Sequence, residues 1–336
     1  YKVDPAGNLT ILYGFQGSNN DGAYPYGAMI RDSAGNFYGA TSGGGTSGRQ
    51  ACSGYGCGTV YTISSTGQER VVYNFTGGVD GATPKANLAL GTDGGVYSTT
   101  WIGGVYNWGV VFAVGKNGVE SVIHDFDGAN HDGGEVAGGL VRGASGTFYG
   151  LTLGGDDLAC WPGFQIGCGT LYQVTEAGDE KVLYAFTGGQ DGSWPSGNLV
   201  RDTAGNLYGT SQGGPYNTGI LGAVFKFDTA GNFTVLHEFT GGAAGEDPYA
   251  GLARDAAGNL YGTTIGGGGA ACPPNGCGTV FVLQPSGKFT ILHSFTGGQD
   301  GWAPNAPVTL DSSGNLYGIA TNGGAHNEGV VFKISR

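Results

Sequence analysis

Charge is scarce in this chain. Only 12% of its 336 residues are charged, and just 14 are Lys or Arg against 26 Asp and Glu. Phosphate binding needs clustered cations, so a net charge of −12 argues against nucleic acid as a partner. It argues equally against an anionic membrane surface or a polyanionic substrate. No apolar run approaches the ~18 residues of a membrane span, so membrane insertion is not expected. A signal peptide is also missing; the chain opens at Tyr1 inside a repeat motif, as an exported and processed chain would. What it has instead is glycine, at 72 positions, together with 12% aromatic residues. Aromatics at that level build a core, so the glycines read as turns between many short strands rather than as disorder.

The repeat confirms this reading. "GNFYGATSGGG" at 35–45 returns at 94–104, 146–155, 205–214, 258–268 and 314–324, a period of 52–59 residues in six copies. Each unit holds four short strands: A ("AGLARD", 250–255), B ("NLYGTT", 259–264), C ("GTVFVL", 278–283) and D ("FTILHSF", 289–295). The A–B turns read Asp-x-x-Gly-Asn, which assigns Asp32, Asp202, Asp255 and Asp311 to turn formation. Four antiparallel strands repeated six times predict an all-β, six-bladed β-propeller in one domain over residues 1–336. The last blade, 304–335, contains A, B and C; strand 7–15 is expected to complete it and close the ring. "YKVD" (1–4) and "FKIS" (332–335) compete for the same end of strand C. Either 1–4 is displaced, or one of the two segments pairs with a neighbouring molecule.

Alternate blades differ, giving a pseudo-threefold pattern of blade pairs. Blades one, three and five carry a cysteine pair in the B–C loop: Cys52/Cys57, Cys160/Cys168 and Cys272/Cys277. The even blades have shorter loops in which Asn107, Asn217 and Asn327 recur at intervals of 110. No pair has the Cys-x-x-Cys spacing of redox enzymes. The pairs lie about a third of the ring apart, so two pairs cannot share one zinc, and no histidine completes a site. Each pair is therefore a disulfide staple in an oxidising compartment.

The pattern "GNLYGTT…GG…CGTVF…G-x-x-T-x-L-H-x-F-x-GG-x-DG-x-x-P" resembles the bacterial GloVer tandem-repeat family over essentially the whole chain. The resemblance implies export and a cell-surface or extracellular location, and it brings no catalytic residues.

In propellers the D–A linkers and B–C loops share the face that usually carries the ligand. That face would collect Asp21, Asp80, Asp132, Asp191, Asp247 and Asp300, with Trp194, Trp302, Tyr24 and Tyr249 beside them. Trp108, Trp161, Tyr55, Tyr106, Tyr216 and Phe164 would come from the loops. Carboxylates among exposed rings suit a glycan, and the same oxygens could hold Ca²⁺. They could also simply make the linker turns, in which case no cofactor is implied. His124, His237 and His293 share a strand-D slot with Tyr13, Tyr73 and Tyr184, a packing position with a polar tip. His131 and His326 stand alone in loops, and no nucleophile elbow or zinc-binding helix motif is present. The leading expectation is a non-catalytic, self-associating scaffold, because few charges guard the outer strands against edge pairing. A glycan-binding module and a carbohydrate-active enzyme are the alternatives.

Overall fold

The structure is a computed structural model. It describes residues 1–336 except 5, 18–19, 46–51, 53, 129–131, 137, 156–159, 161–166, 214–218, 270–271 and 273. Apart from 3-10 turns, every regular element among the described residues is a β-strand, and the fold is a six-bladed β-propeller with mostly four-stranded antiparallel blades. The chain forms two compact units: Tyr1–Gly128, Gly134–Phe148 and Val174–Glu180 in one, and Ala129–Gly133, Tyr149–Gln173 and Lys181–Arg336 in the other.

The first unit holds blade one (A Gly22–Pro25 and Ile30–Arg31, B Phe37–Gly44, C Thr59–Ile63, D Glu69–Asn74). It also holds blade two (Ala89–Leu90, Val96–Thr99, Val110–Val114, Glu120–Asp125). The second unit holds blade four (Ser193–Arg201, Leu207–Gln212, Gly222–Phe227, Phe233–Glu238). Blade five follows (Ala253–Arg254, Leu260–Thr264, Thr279–Leu283, Phe289–Ser294), and then the last blade (Thr309–Leu310, Leu316–Ala320, Val330–Ile334). Blade three, from Gly134–Val136 to Glu180–Ala185, has strands in both units.

Two devices recur from blade to blade, although blade two has Ser98 where the other blades have the strand-B glycine. The tyrosine-glycine of strand B faces the aromatic residue of strand C: a Cβ on Gly262 would lie 2.5 Å from the Phe281 ring, so only glycine fits there. Within each unit, the terminal phenylalanine of a strand D meets the aromatic residue of a following strand C edge-on. Phe75–Phe112 (4.9 Å) shows this in the first unit; Phe186–Phe225 (5.3 Å), Phe239–Phe281 (5.3 Å) and Phe295–Phe332 (5.2 Å) show it in the second. Such pairs add ~0.5–1.5 kcal/mol beyond burial. The A–B turns behave as expected. Asp32 Oδ1 accepts the Asn36 N–H (2.9 Å) and Oδ2 accepts the Asn36 amide (3.0 Å), and Asp202, Asp255 and Asp311 repeat the arrangement.

The segment expected to supply the last blade's fourth strand does something else as well. Leu9–Thr10 pairs with Lys2–Val3, Lys2 opposite Thr10 and Val3 opposite Leu9, while the last blade is a three-stranded sheet. Phe15 nevertheless packs edge-on against Tyr61 of blade one at 4.9 Å, as a strand-D phenylalanine does against the following blade.

Candidate functional site

The linker aspartates are built into the backbone. Asp80 accepts the Tyr73 hydroxyl (2.9 Å), the Thr76 N–H (2.7 Å), the Thr76 hydroxyl (2.5 Å) and the Gly78 N–H (3.3 Å). Asp191 accepts the same four donors from Tyr184, Thr187 and Gly189 at 2.7–3.1 Å. Asp300 takes the Thr296 N–H (3.0 Å) and hydroxyl (2.5 Å), with His293 Nε2 at 3.1 Å. Burial raises the Asp300 pKa, but hydrogen bonds from Thr296 and His293 outweigh it and hold the carboxyl below its usual range. In Tyr73 and Tyr184 burial and the adjacent carboxylate both push the phenol upward. The strand-D slot thus admits Tyr or His because either one places a polar ring tip on the linker carboxylate seven residues on. The seven-residue interval holds for Tyr73, Tyr184 and His293, whereas Tyr13 and His124 stand eight residues before Asp21 and Asp132.

Asp21 is buried too, accepting the Gln16 N–H at 2.5 Å. Asp132 also carries interactions of its own. Asp247 differs from the others. It sits three residues beyond the linker-aspartate position, which is Ala244 in that linker. With no aspartate there, His237 Nε2 is buried with no hydrogen-bond partner, its ring stacked on Phe289 at 3.8 Å. Burial holds the His237 pKa below normal and so disfavours the charged ring.

The position of Asp247 is the feature the sequence reading missed. Tyr24, Thr83, Glu135, Trp194, Asp247 and Ala303 all adopt φ between 47° and 58°, the left-handed region that side chains avoid. Five of the six precede proline, the only prior signal. The strain accompanies a bond from the linker back to the previous blade. Thr83 N–H donates to the Cys57 carbonyl (2.8 Å) and Glu135 to Trp108 (2.9 Å) in the first unit. Trp194 donates to Cys168 (2.8 Å), Asp247 to Leu221 (2.8 Å) and Ala303 to Cys277 (2.9 Å) in the second. The six side chains there are all different, so this is where the repeat presents variety.

In the first unit aromatic rings lie near these positions, Tyr55 exposed and Trp101 half-buried. Tyr24 meets Tyr55 edge-on at 6.1 Å, and the Lys85 ammonium lies 4.4 Å over the Trp101 ring. Burial lowers the Lys85 pKa and Glu135 partly offsets this; burial raises the Glu135 pKa and Lys85 partly offsets that. In the second unit the Gln212 amide donates to the Trp194 carbonyl (3.2 Å), and burial raises the Asp247 pKa. Trp302 and Tyr106 are exposed. Trp161, Phe164, Tyr216, Asn217 and His131 lie outside the described residues. Among the described residues no three His, Cys, Asp or Glu side chains gather as metal ligands.

All three cysteine pairs are disulfides, and no cysteine is free. Their second members, Cys57, Cys168 and Cys277, are the residues whose carbonyls receive the linker bond. The staple therefore fixes the acceptor of a blade-to-blade contact.

The Gloeobacter/Verrucomicrobia repeat family matches residues 1–220 and 160–336 of the chain. The chain belongs to that family. No curated protein matches it. Among solved structures, it is similar to a Thermus thermophilus protein described as an oxidoreductase (glucose dehydrogenase). That match has 15% identity and a TM-score of 0.52, covering 93% of this chain and 96% of that one. A luciferin-regenerating enzyme is similar at 12% identity and TM-score 0.53, covering 94% and 92%. The GH74 enzyme of Niastella koreensis is similar at 15% identity and TM-score 0.53; the match covers 90% of this chain and 42% of that one. At these identities the likeness concerns the fold, and the fold hosts many functions.

Proposed function

We propose that this member of the repeat family is an exported, non-catalytic scaffold that assembles with copies of itself outside the cytoplasm. The observation that carries the reading is the state of the last blade. Among the described residues its strand C, Val330–Ile334, pairs on one side only, with Val331 44% exposed, whereas the equivalent Val280 of blade five is 0% exposed. An apolar strand with an unpaired edge is a template for another chain, and this surface has few charges to discourage pairing. The linker carboxylates support the same reading, because Asp80, Asp191 and Asp300 are occupied by backbone and side-chain donors of their own linkers. Three disulfides suit an oxidising, extracytoplasmic location. Light scattering and electron microscopy of the purified chain test the reading. Ordered polymers that grow with concentration are expected, and a strictly monomeric sample at all concentrations overturns it.

A second reading has its own support. Tyr24, Tyr55, Tyr106 and Trp302 are exposed rings on linkers and loops, suited to stacking on the C–H faces of sugars. Binding on a glycan array that is lost in Tyr24→Ala or Trp302→Ala would favour it; an array without hits would set it aside.

A further inference from the structure

The N-terminal hairpin contains a copy of the partner that the last blade offers. Lys2 pairs with Thr10 and Val3 with Leu9. This is the register in which blade four pairs Lys226 with Thr234 and Phe227 with Phe233. The turns match as well. Asp4 N–H donates to the Asn8 carbonyl and Gly7 N–H to the Asp4 carbonyl, as Asp228, Asn232 and Gly231 do in blade four. Residues 1–10 are thus the end of a strand C, a turn and the start of a strand D. Tyr1-Lys2-Val3 stands where Phe332-Lys333-Ile334 would stand if the last blade used this strand D. Leu9, within the short pairing, is 56% exposed, and Ile11, just beyond it, is 63% exposed.

We propose that Tyr1–Val3 is a placeholder, and that strand Val330–Ile334 of a second copy displaces it to take residues 9–14 as its fourth strand. This inference rests on the scaffold reading and names its interface. Blade five pairs Thr279 with Ser294, Val280 with His293, Phe281 with Ile291, Val282 with Thr290 and Leu283 with Phe289, skipping one residue at a bulge. Transferred to the joint, Val330 faces Gly14, Val331 faces Tyr13, Phe332 faces Ile11, Lys333 faces Thr10 and Ile334 faces Leu9. The exchange replaces a short pairing at Lys2 and Val3 with a full blade ladder. It also stacks the last blade of one copy on the first blade of the next. Val280 of blade five clusters with Val308 and Leu316 of the following blade. Met29 and Phe37 hold those repeat positions in blade one, and they are only half-buried there, ready to receive Val331. The Tyr24 N–H would reach the Glu328 carbonyl as Ala303 reaches Cys277.

A second copy is the occupant because the single chain leaves Val331, Leu9 and Ile11 exposed while holding the donor strand's edge with its own residues 2–3. Each copy then has one donor and one acceptor, a head-to-tail contact that propagates as a filament unless its rotation closes.

The test uses the full chain with single thiols, which are the only free ones because all six native cysteines are bonded. Thr10→Cys and Lys333→Cys proteins carrying different mass tags are mixed, assembled and oxidised. A disulfide joining the two tags is expected, since directly opposed strand positions lie within bonding reach. Assembled material without that disulfide overturns the inference while leaving self-association intact. An intramolecular disulfide in the Thr10→Cys/Lys333→Cys double variant, with none between tags, assigns the strand to its own chain and also overturns it. Removing residues 1–4 should speed assembly at least several-fold, because no placeholder has to leave; unchanged or slower assembly contradicts the placeholder. Absence of any assembly in the unmodified chain would instead remove the scaffold reading itself.

Discussion

In blade five, the Phe281 ring is held between Phe239 of the preceding blade and Phe289 of its own strand D, at 5.3 and 5.4 Å. In the last blade, Phe332 has Phe295 at 5.2 Å in the first role, and its own strand supplies nothing in the second. The strands before these rings have the same order, and the A–B turns bond alike at Asp255 and Asp311. The difference lies in one edge. An identical local design carries four strands in one blade and three in the next.

That comparison can be broken by truncating both rings. Phe281→Ala should cost ~3–5 kcal/mol in denaturant unfolding, as for a fully buried phenylalanine. In the unassembled chain Phe332→Ala should cost less than about 2 kcal/mol, and its main effect should be loss of assembly. Equal costs in dilute monomer would mean the two blades are equally closed.

The linkers sharpen the contrast. Asp300, after blade five, gathers donors from Thr296 and His293, whereas Asp21 accepts the N–H groups of Gln16 and Gly22 in its own linker. Asp300→Ala should destabilise the fold by ~1–2 kcal/mol, because the partly exposed Thr296 and His293 donors lose a charged acceptor. Asp21→Ala should cost less. Because the folded pKa of Asp300 is depressed, its contribution is present above the ordinary aspartate range. That contribution is lost as pH falls through the lower folded value, which an acid-unfolding series of wild type and Asp300→Ala would show.

The B–C loops differ next. Selective reduction of Cys272–Cys277 should remove ~2 kcal/mol by loop-entropy reckoning. It should also loosen the Ala303 contact to Cys277, seen as faster exchange of the Ala303 amide. The last blade, whose loop has no disulfide, should be unaffected.

The smallest effect concerns the first residue of strand D, apolar as Phe289 in blade five and Leu9 in the N-terminal strand but Glu120 in blade two. Burial, and then the Asp80 charge, push the Glu120 pKa up to about 7. The ionised form is therefore penalised in the fold. Stability should rise as pH falls from about 7 toward 4.5, and Glu120→Gln should reduce that slope while adding ~1 kcal/mol at pH 8, after allowance for solvent screening. Thermal melts across this range read the effect directly.

Much of this architecture was legible in the chain. The "GNLYGTT" repeat, the Asp-x-x-Gly-Asn turns and the paired cysteines each encode local geometry through residues with few alternatives, so strands, turns and staples fell where expected. The linker aspartates were harder to read. Asp80 and Asp191 look like a ligand's carboxylates in one dimension, and only three-dimensional placement brings Tyr73, Thr76, Tyr184 and Thr187 onto them. Asp247 was grouped with them although its linker has shifted and Ala244 holds the place. The left-handed residues were invisible because Tyr, Thr, Glu, Trp, Asp and Ala share no chemistry; their common backbone is imposed by the proline that usually follows and by the carbonyl they bond. The competition between "YKVD" and "FKIS" was plain, but its resolution needed the pairing of Lys2 with Thr10.

The central claim is that the last blade is completed by residues 9–14 of another copy. Electron cryomicroscopy of the assembled chain tests it most directly, because the path from Phe15 back to Leu9 can be traced into one molecule or another. The expected map places Thr10 opposite Lys333 of the adjacent copy, with residues 1–4 displaced from the ladder. A map in which Leu9–Thr10 still pairs with Lys2–Val3, or in which residues 9–14 lie beside strand Val330–Ile334 of their own chain, would contradict it.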